Sequence, residues 1–246
     1  MKNYKLTIEY DGTAYHGWQI QASDITIQKT IETALSTMTW EKIRLSGSGR
    51  TDAGVHALGQ VASFKTALSI PTNAFLAGLN SLLPDDIVIT ACESVADDFH
   101  ARFSAKNKTY QYRIYNRPVP IAISRQYMWH IRKKLDVAAM QQAVAHITGT
   151  HDFKSFEGTG SPRDHTIRTV MNAKVMEKDD GYLIFEIMAN GFLRYMVRNI
   201  VGTLADVGLL KTSPDEFKHI LEAKNRNLAG ATAPPQGLFL VEVSYE

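Results

Sequence analysis

The chain has 246 residues, of which 44% are hydrophobic and 21% charged, and its formal net charge is +2 at pH 7. These values indicate an ordinary soluble globular protein, long enough to bury a core as one large domain or two small ones. No apolar run is long enough to cross a bilayer, and the first residues alternate like a strand instead of forming the apolar region of a signal peptide. The single cysteine, Cys92, excludes an internal disulfide, so we expect a cytoplasmic location.

The first hundred residues predict the order strand, helix, strand, strand, helix, strand. Apolar residues alternate with polar ones in the first strand, and they recur at helical spacing in the first helix. The predicted strands are residues 4–10, 42–47, 60–65 and 86–95, and the predicted helices are residues 26–38 and 71–83.

The second half predicts a similar alternation. Asp136 is the expected N-cap of one helix and Gly149 its expected stop, and an Asp-Asp-Gly turn is expected to join two strands into a hairpin. The predicted strands are residues 108–116, 167–177, 181–189 and 237–245, and the predicted helices are residues 136–149, 192–210 and 213–224. Two split-βαβ units of the ferredoxin or RRM type are therefore expected, in an α+β fold with halves at residues 1–100 and 101–246.

Residues 99–135 contain no acidic side chain, although nine are basic and seven are aromatic. Positive charge suits phosphates and aromatic faces suit bases, so this segment is consistent with RNA binding on an uncovered sheet face. A solvated basic edge beside core aromatic residues is the alternative interpretation.

The stretch SGSGRTDAGVHALGQ, residues 46–60, joins two of the predicted strands. Its glycines have neither the dinucleotide-binding spacing nor the P-loop spacing. The sequence also contains no His-Glu-x-x-His motif and no cysteine pair, so neither a metal nor a cofactor is expected. What remains is Asp52, preceded by Arg50. An aspartate in such a loop can cap a turn or pair with the nearby arginine, and it can also be a catalytic carboxylate.

Four stretches together resemble the tRNA pseudouridine synthase A family. Residues 47–64 are similar to the signature of this family, the strand KTYQYRIYN to its second motif with Tyr110, and FLRYMVRNIVGTL to its third motif with Arg198. The closing PPQGLFLVEVSY is similar to the last strand of the family. Members of the family isomerise uridine to pseudouridine at positions 38 to 40 in the anticodon arm of tRNA.

The resemblance implies two halves that share one continuous antiparallel sheet, with the active site in the cleft between them, and a homodimer that binds one tRNA. It implies that Asp52 is the catalytic nucleophile, that Tyr110 contacts the target base and that Arg198 pairs with Asp52. Arg198 is expected to be partly buried, because it lies at the border of the apolar face of its helix. Arg194 is expected one turn earlier on the same side.

The isomerisation of uridine suggests roles for the remaining residues of the glycine-rich stretch. Arg50 can fill the space that the extruded base leaves. Gly47 and Gly49 are expected to adopt positive φ angles, and Gly54 is expected to let the backbone approach the ribose.

Two other hypotheses remain open at this stage. One is a non-catalytic RNA-binding protein that uses the same basic, aromatic segment. The other is an enzyme that acts on a small molecule, which agrees less well with the acid-free segment. The sequence does not decide which of positions 38 to 40 is modified, or which chemical route Asp52 follows.

Overall fold

A computed structural model of the chain describes residues 1–158, 160 and 165–246. The described strands are, in chain order, β1 (Lys2–Tyr10), β2 (Ser46–Gly47), β3 (His56–Thr66), β4 (Ile87–Val95), β5 (Asn107–Asn116), β6 (Trp129–Ile131), β7 (Gly149–Asp152), β8 (Ile167–Glu177), β9 (Tyr182–Ala189) and β10 (Leu238–Ser244). The described α-helices are α1 (Ile27–Thr39), α2 (Thr72–Leu82), α3 (Val137–Ala145), α4 (Met196–Gly208) and α5 (Pro214–Glu222).

The chain divides into two compact units. The first consists of Met1–Lys106 together with Phe239–Glu246, and the second of Asn107–Leu238. Both units combine helices with mostly antiparallel strands, so the predicted α+β class is confirmed.

In the first unit, the strands lie in the order β4-β1-β3-β10, and β2 pairs with β3 beside them. β1 runs antiparallel to both of its neighbours, whereas β10 runs parallel to β3. The rings of Tyr4, Phe64 and Phe75 lie within 5.4 Å of one another and pack α2 against β1 and β3. The apolar face of β1 therefore forms part of the hydrophobic core of this unit.

The helix α1 follows the predicted pattern closely. Thr26 caps it by accepting a hydrogen bond from the backbone N–H of Lys29. Ile27, Ile31 and Leu35 are fully buried, as expected of apolar residues at helical spacing.

In the second unit, the strands lie in the order β6-β5-β9-β8-β7. The predicted hairpin is present as β8 and β9, and Asp180 takes a left-handed conformation in its turn. Ser213 and Glu216 form a reciprocal capping box at the start of α5.

Two predicted helix boundaries in the second unit are wrong. α4 begins at Met196 and not at residue 192, because Tyr195 has a left-handed φ of 60° that an α-helix cannot contain. α3 ends at Ala145, so Gly149 is not its stop but the first residue of β7. The short strands β6 and β7 were not predicted, since three or four residues show too little periodicity.

Candidate active site

The glycine-rich stretch forms a turn that leads from β2 into β3, and the neighbouring backbone holds it in place. Ser48 N–H donates to the carbonyl of Val61 at 2.7 Å, and Trp18 N–H donates to the carbonyl of Thr51 at 3.1 Å. Within the turn, Val55 N–H donates to the carbonyl of Asp52 at 3.2 Å. The turn is therefore fixed, in spite of its glycines.

A buried polar network lies beneath this turn. The hydroxyl of Ser48 donates to Gln60 Oε1 at 2.6 Å, and Gln60 Nε2 donates to the carbonyl of Gly49 at 3.1 Å. Tyr10 Oη lies 2.7 Å from Thr51 Oγ1, and burial raises the pKa of Tyr10 well above its usual value. These bonds anchor the backbone on both sides of Arg50.

Close packing explains two of the glycines near the turn. A Cβ on Gly47 would lie 2.6 Å from the indole of Trp18, and a Cβ on Gly17 would lie 2.6 Å from the carbonyl oxygen of Thr51. The prediction of positive φ at Gly47 and Gly49 is wrong, since of these glycines only Gly54 has one, at 73°. Gly47 is required for space beside Trp18, and not for its backbone angle.

Asp52 and Arg50 differ in exposure. Asp52 is half-buried, whereas Arg50 is exposed and donates its Nε–H to Gln19 Oε1 at 3.0 Å. The guanidinium of Arg50 thus lies at the surface of the turn, where a nucleic acid can reach it.

His56 follows the turn as the first residue of β3 and is only 1% exposed. Its Nδ1 lies 3.0 Å from both the backbone nitrogen of Gly12 and a carboxylate oxygen of Asp11, and its ring stacks on Phe239 at 4.7 Å. His56 therefore joins the end of the turn to the loop after β1.

In the second unit, Tyr110 lies on β5 opposite Ile187 of β9. Its side chain is largely buried, and its ring meets the edge of Phe192 at 4.8 Å. Tyr112 lies on the same face, and its hydroxyl donates to the carbonyl of Pro234 at 2.7 Å. Burial raises the pKa of Tyr112, which the nearby charge of Arg198 opposes.

Arg198 lies in the first turn of α4 and is half-buried, as its place at the border of the apolar face predicted. Its Nε–H donates to the carbonyl of Ala233 at 2.8 Å, and its own carbonyl accepts from Ala233 N–H at 3.1 Å. The guanidinium carbon lies 5.1 Å from the ring centre of Tyr195. The carbonyl of Ala233 and the ring of Tyr195 therefore orient the guanidinium of Arg198.

The loop before β10 connects these two elements of the second unit. Tyr112 binds the carbonyl of Pro234 and Arg198 binds that of Ala233, so β5 and α4 hold adjacent peptides. Arg194 precedes α4 and does not lie one turn earlier on it, which corrects the predicted placement. It is exposed, and its guanidinium donates to the hydroxyl of Tyr195 at 3.0 Å.

Comparison with known proteins places the chain in a family. A family model described as tRNA pseudouridine synthase matches residues 6–104 and 143–246. The chain belongs to this family. The matched ranges include the Asp52 turn and Arg198, whereas the strand that carries Tyr110 lies between them.

Curated relatives named tRNA pseudouridine synthase A align over their whole length. The relative from Acetivibrio thermocellus is 50% identical over 245 residues, and that from Thermoanaerobacter sp. is 49% identical over 245 residues. In both cases the alignment covers 100% of this chain and 100% of the relative. The resemblance seen in the sequence is therefore confirmed, and the tRNA pseudouridine synthase family is a family of isomerases.

Sequence reasoning did not identify the residues that support the Asp52 turn. Tyr10, Trp18 and Gln60 come from different segments, and no local motif distinguishes them from ordinary core residues. Among the described residues there is no cluster of three or more His, Cys, Asp or Glu side chains that could hold a metal ion. No helix in the described ranges is long and apolar enough to cross a membrane.

Proposed function

We propose that this synthase isomerises uridine to pseudouridine at positions 38 to 40 in the anticodon arm of tRNA, with Asp52 as the catalytic nucleophile. The observation that carries the proposal is the half-buried Asp52 on a turn that six backbone and side-chain hydrogen bonds hold in place. Full-length similarity to the curated synthases supports the substrate.

The reaction breaks the bond between ribose C1′ and uracil N1, turns the base, and joins uracil C5 to the same ribose carbon. Atoms and electrons balance without an oxidant, a reductant or a second substrate. Cleavage of the glycosidic bond builds positive charge on the sugar, which an ionised carboxylate stabilises. Asp52 can attack the sugar carbon, add to C6 of the base or assist removal of a sugar proton, and each route requires its ionised form.

The proposal assigns Arg198 the task of keeping Asp52 ionised. Covering a carboxylate with RNA removes water and favours its neutral form, whereas a guanidinium favours the charged form and stays protonated at any relevant pH. The Ala233 carbonyl and the Tyr195 ring hold the guanidinium in one direction, which reduces the entropy it loses on pairing.

Tyr110 and Arg50 complete the proposed machinery. The ring of Tyr110 would stack on the extruded uracil, and its hydroxyl would move the proton that C5 loses. Arg50 would occupy the space that the base vacates, since its exposed guanidinium is flat and cationic. A cytoplasmic homodimer that binds one tRNA across both subunits is part of the same proposal.

The test is to incubate the purified protein with unmodified tRNA and to map pseudouridine along it. We expect the product within the anticodon arm for the wild type and none for Asp52→Asn, which should bind tRNA with an unchanged Kd. In the same assay, Tyr110→Phe with full turnover would exclude proton transfer by the hydroxyl and leave stacking.

A wild-type protein that binds tRNA and makes no pseudouridine would instead support the hypothesis of a non-catalytic RNA-binding protein. Absence of tRNA binding at low salt, where phosphate contacts are strongest, would support an enzyme that acts on a small molecule.

A further inference from the structure

The segment between β4 and β5 exposes an aromatic side chain beside two basic ones. Phe103 is 76% exposed, and the adjacent Arg102 is also exposed. The guanidinium carbon of Arg102 lies 5.5 Å from the ring centre of Phe103, and the ring centre of His100 lies 4.5 Å from it. Phenylalanine is usually buried, so a ring held at the surface beside a guanidinium and an imidazole suits a ligand with a flat π face.

Side-chain hydrogen bonds fix the backbone of this turn. Nδ1 of His100 accepts hydrogen bonds from the N–H groups of Arg102 at 3.1 Å and Phe103 at 3.4 Å. His100 N–H donates to the hydroxyl of Ser104 at 3.1 Å, and Ser104 N–H donates to the carbonyl of His100 at 2.9 Å. The ring of Phe103 is thus presented by a preorganised turn, which lowers the entropy that a ligand would have to overcome.

The base of the turn is anchored in the core of the first unit. Ala101 is fully buried, and its N–H donates to the hydroxyl of Ser63 on β3 at 3.1 Å. Its carbonyl accepts from the hydroxyl of Tyr245 at 2.7 Å, and the ring of Tyr245 packs on Phe99 at 4.9 Å. The same strand, β3, follows directly after the Asp52 turn.

The chemistry around Phe103 favours RNA over a protein partner. Lys106 is exposed a few residues further on, and residues 99–135 contain no carboxylate, although Asp97 and Asp98 precede them at the surface. Contiguous apolar patches mark many protein-binding surfaces, whereas the neighbours of Phe103 in the turn are Arg102 and His100. Single-stranded nucleic acid is bound by aromatic rings that stack on bases, with cations on the phosphates.

We propose that His100, Arg102 and Phe103 form a second RNA contact of this enzyme, at which Phe103 stacks on an unpaired base of the substrate and Arg102 binds an adjacent phosphate. We call it the Phe103 platform. It rests on the proposed function, because the RNA it binds is the tRNA substrate. The Phe103 platform contributes to the affinity for the substrate and does not take part in the isomerisation step.

The test compares tRNA binding and turnover of platform variants. Phe103→Ala should raise the Kd for unmodified tRNA about tenfold, within the range that loss of one stacked base costs, and leave the rate at saturating tRNA unchanged. Phe103→Trp should restore the Kd, because the ring and not the residue is required. Arg102→Ala should weaken binding and reduce the slope of log K against log salt by about one.

Trp40→Ala is the matched control. Trp40 is an aromatic residue of the same unit and 94% exposed, but it lies at the end of α1, outside the platform. We expect its Kd for tRNA to equal that of the wild type, which shows that loss of any exposed ring is not sufficient.

A photocrosslinking experiment covers the case in which a variant folds poorly. With Phe103 replaced by p-benzoylphenylalanine, we expect crosslinks to a nucleotide of the bound tRNA. Crosslinks to a second copy of the chain alone, or a wild-type Kd for both Phe103→Ala and Arg102→Ala, would overturn the platform. These results differ from failure of the proposed function, in which the wild type itself makes no pseudouridine.

Discussion

The phenol oxygen of Tyr10 and the hydroxyl oxygen of Thr51 lie 2.7 Å apart in the core of the first unit. Tyr10 is the last residue of β1, and Thr51 directly precedes Asp52 in the turn before β3. Both side chains are buried. This bond ties the backbone beside the proposed nucleophile to the first strand, so the position of its carboxylate depends on a residue 42 positions earlier in the chain.

Removal of the Tyr10 hydroxyl tests whether this bond positions Asp52. Tyr10→Phe leaves the Thr51 hydroxyl without this buried partner, so we expect the free energy of unfolding to fall by about 1–3 kcal/mol. We also expect the turnover rate at saturating tRNA to fall while KM changes little. Urea unfolding and single-turnover kinetics measure the two effects.

Tyr4→Phe is the control for that variant. The hydroxyl of Tyr4, on the same strand, donates to the carbonyl of Ile70 at 2.9 Å and does not contact the turn. It should lose comparable stability and keep wild-type turnover. If Tyr10→Phe also keeps wild-type turnover, the bond to Thr51 is structural only.

Gly17→Ala tests whether the close packing below the turn is required. The φ of Gly17 is 88°, and a Cβ there would lie 2.6 Å from the carbonyl oxygen of Thr51. Gly17→Ala should therefore cost more than the ~1–2 kcal/mol of a left-handed alanine and displace the turn, with a loss of turnover. Thermal unfolding and the pseudouridine assay measure both quantities.

Gly149→Ala separates backbone strain from displacement of the turn. Gly149 also has a positive φ, 105°, but the nearest atom to its Cβ would be 3.5 Å away, in His151. We expect a loss of stability without a loss of turnover. Equal losses of turnover in the two variants would refute a specific role for Gly17.

The buried tyrosines predict a loss of stability at alkaline pH. Burial raises the pKa of Tyr10 and of Tyr112, so above about pH 10 the unfolded chain releases phenolic protons that the folded chain retains. This contribution to stability is complete below the unfolded pKa and is lost as the pH rises above it. Each tyrosine should lower the free energy of unfolding by about 1.4 kcal/mol per pH unit there.

In Tyr112→Phe, one phenolic proton fewer is released on unfolding at alkaline pH, so the free energy of unfolding should fall less steeply as the pH rises. Urea unfolding between about pH 9 and pH 11 measures the slope, and the same variant at neutral pH reports the lost hydrogen bond to Pro234 separately. An unchanged slope would show that Tyr112 ionises in the folded protein as it does in the unfolded chain.

Arg50→Ala tests the proposed role of the exposed guanidinium on the turn. We expect most of the turnover to be lost while the Kd for tRNA changes little, because Arg50 is proposed to fill the space that the extruded base vacates and not to contact the tRNA backbone. Gln19→Leu removes the partner of Arg50 Nε and should lower turnover less. Strongly weakened binding with normal turnover would make Arg50 a phosphate contact instead.

Strong local periodicity accounts for the parts of the fold that could be predicted. β1 alternates and α1 has apolar residues at helical spacing, and both match the structure within about two residues at each end. The start of α4 could not be predicted, because FLRY has no residue that signals the left-handed conformation of Tyr195. The predicted end of α3 at Gly149 is wrong. Glycine commonly terminates helices, but Gly149 is the first residue of β7.

By itself, the sequence determined the α+β class, the family and the four candidate residues, since a motif keeps its residue types and spacing wherever the chain folds. The tertiary structure decided what supports Asp52: Tyr10, Gly17, Trp18 and Gln60 meet at one turn from three separate segments. Hydrogen bonds and close packing between distant segments depend on contacts between residues far apart in the chain, and no local pattern of amino acids specifies those contacts.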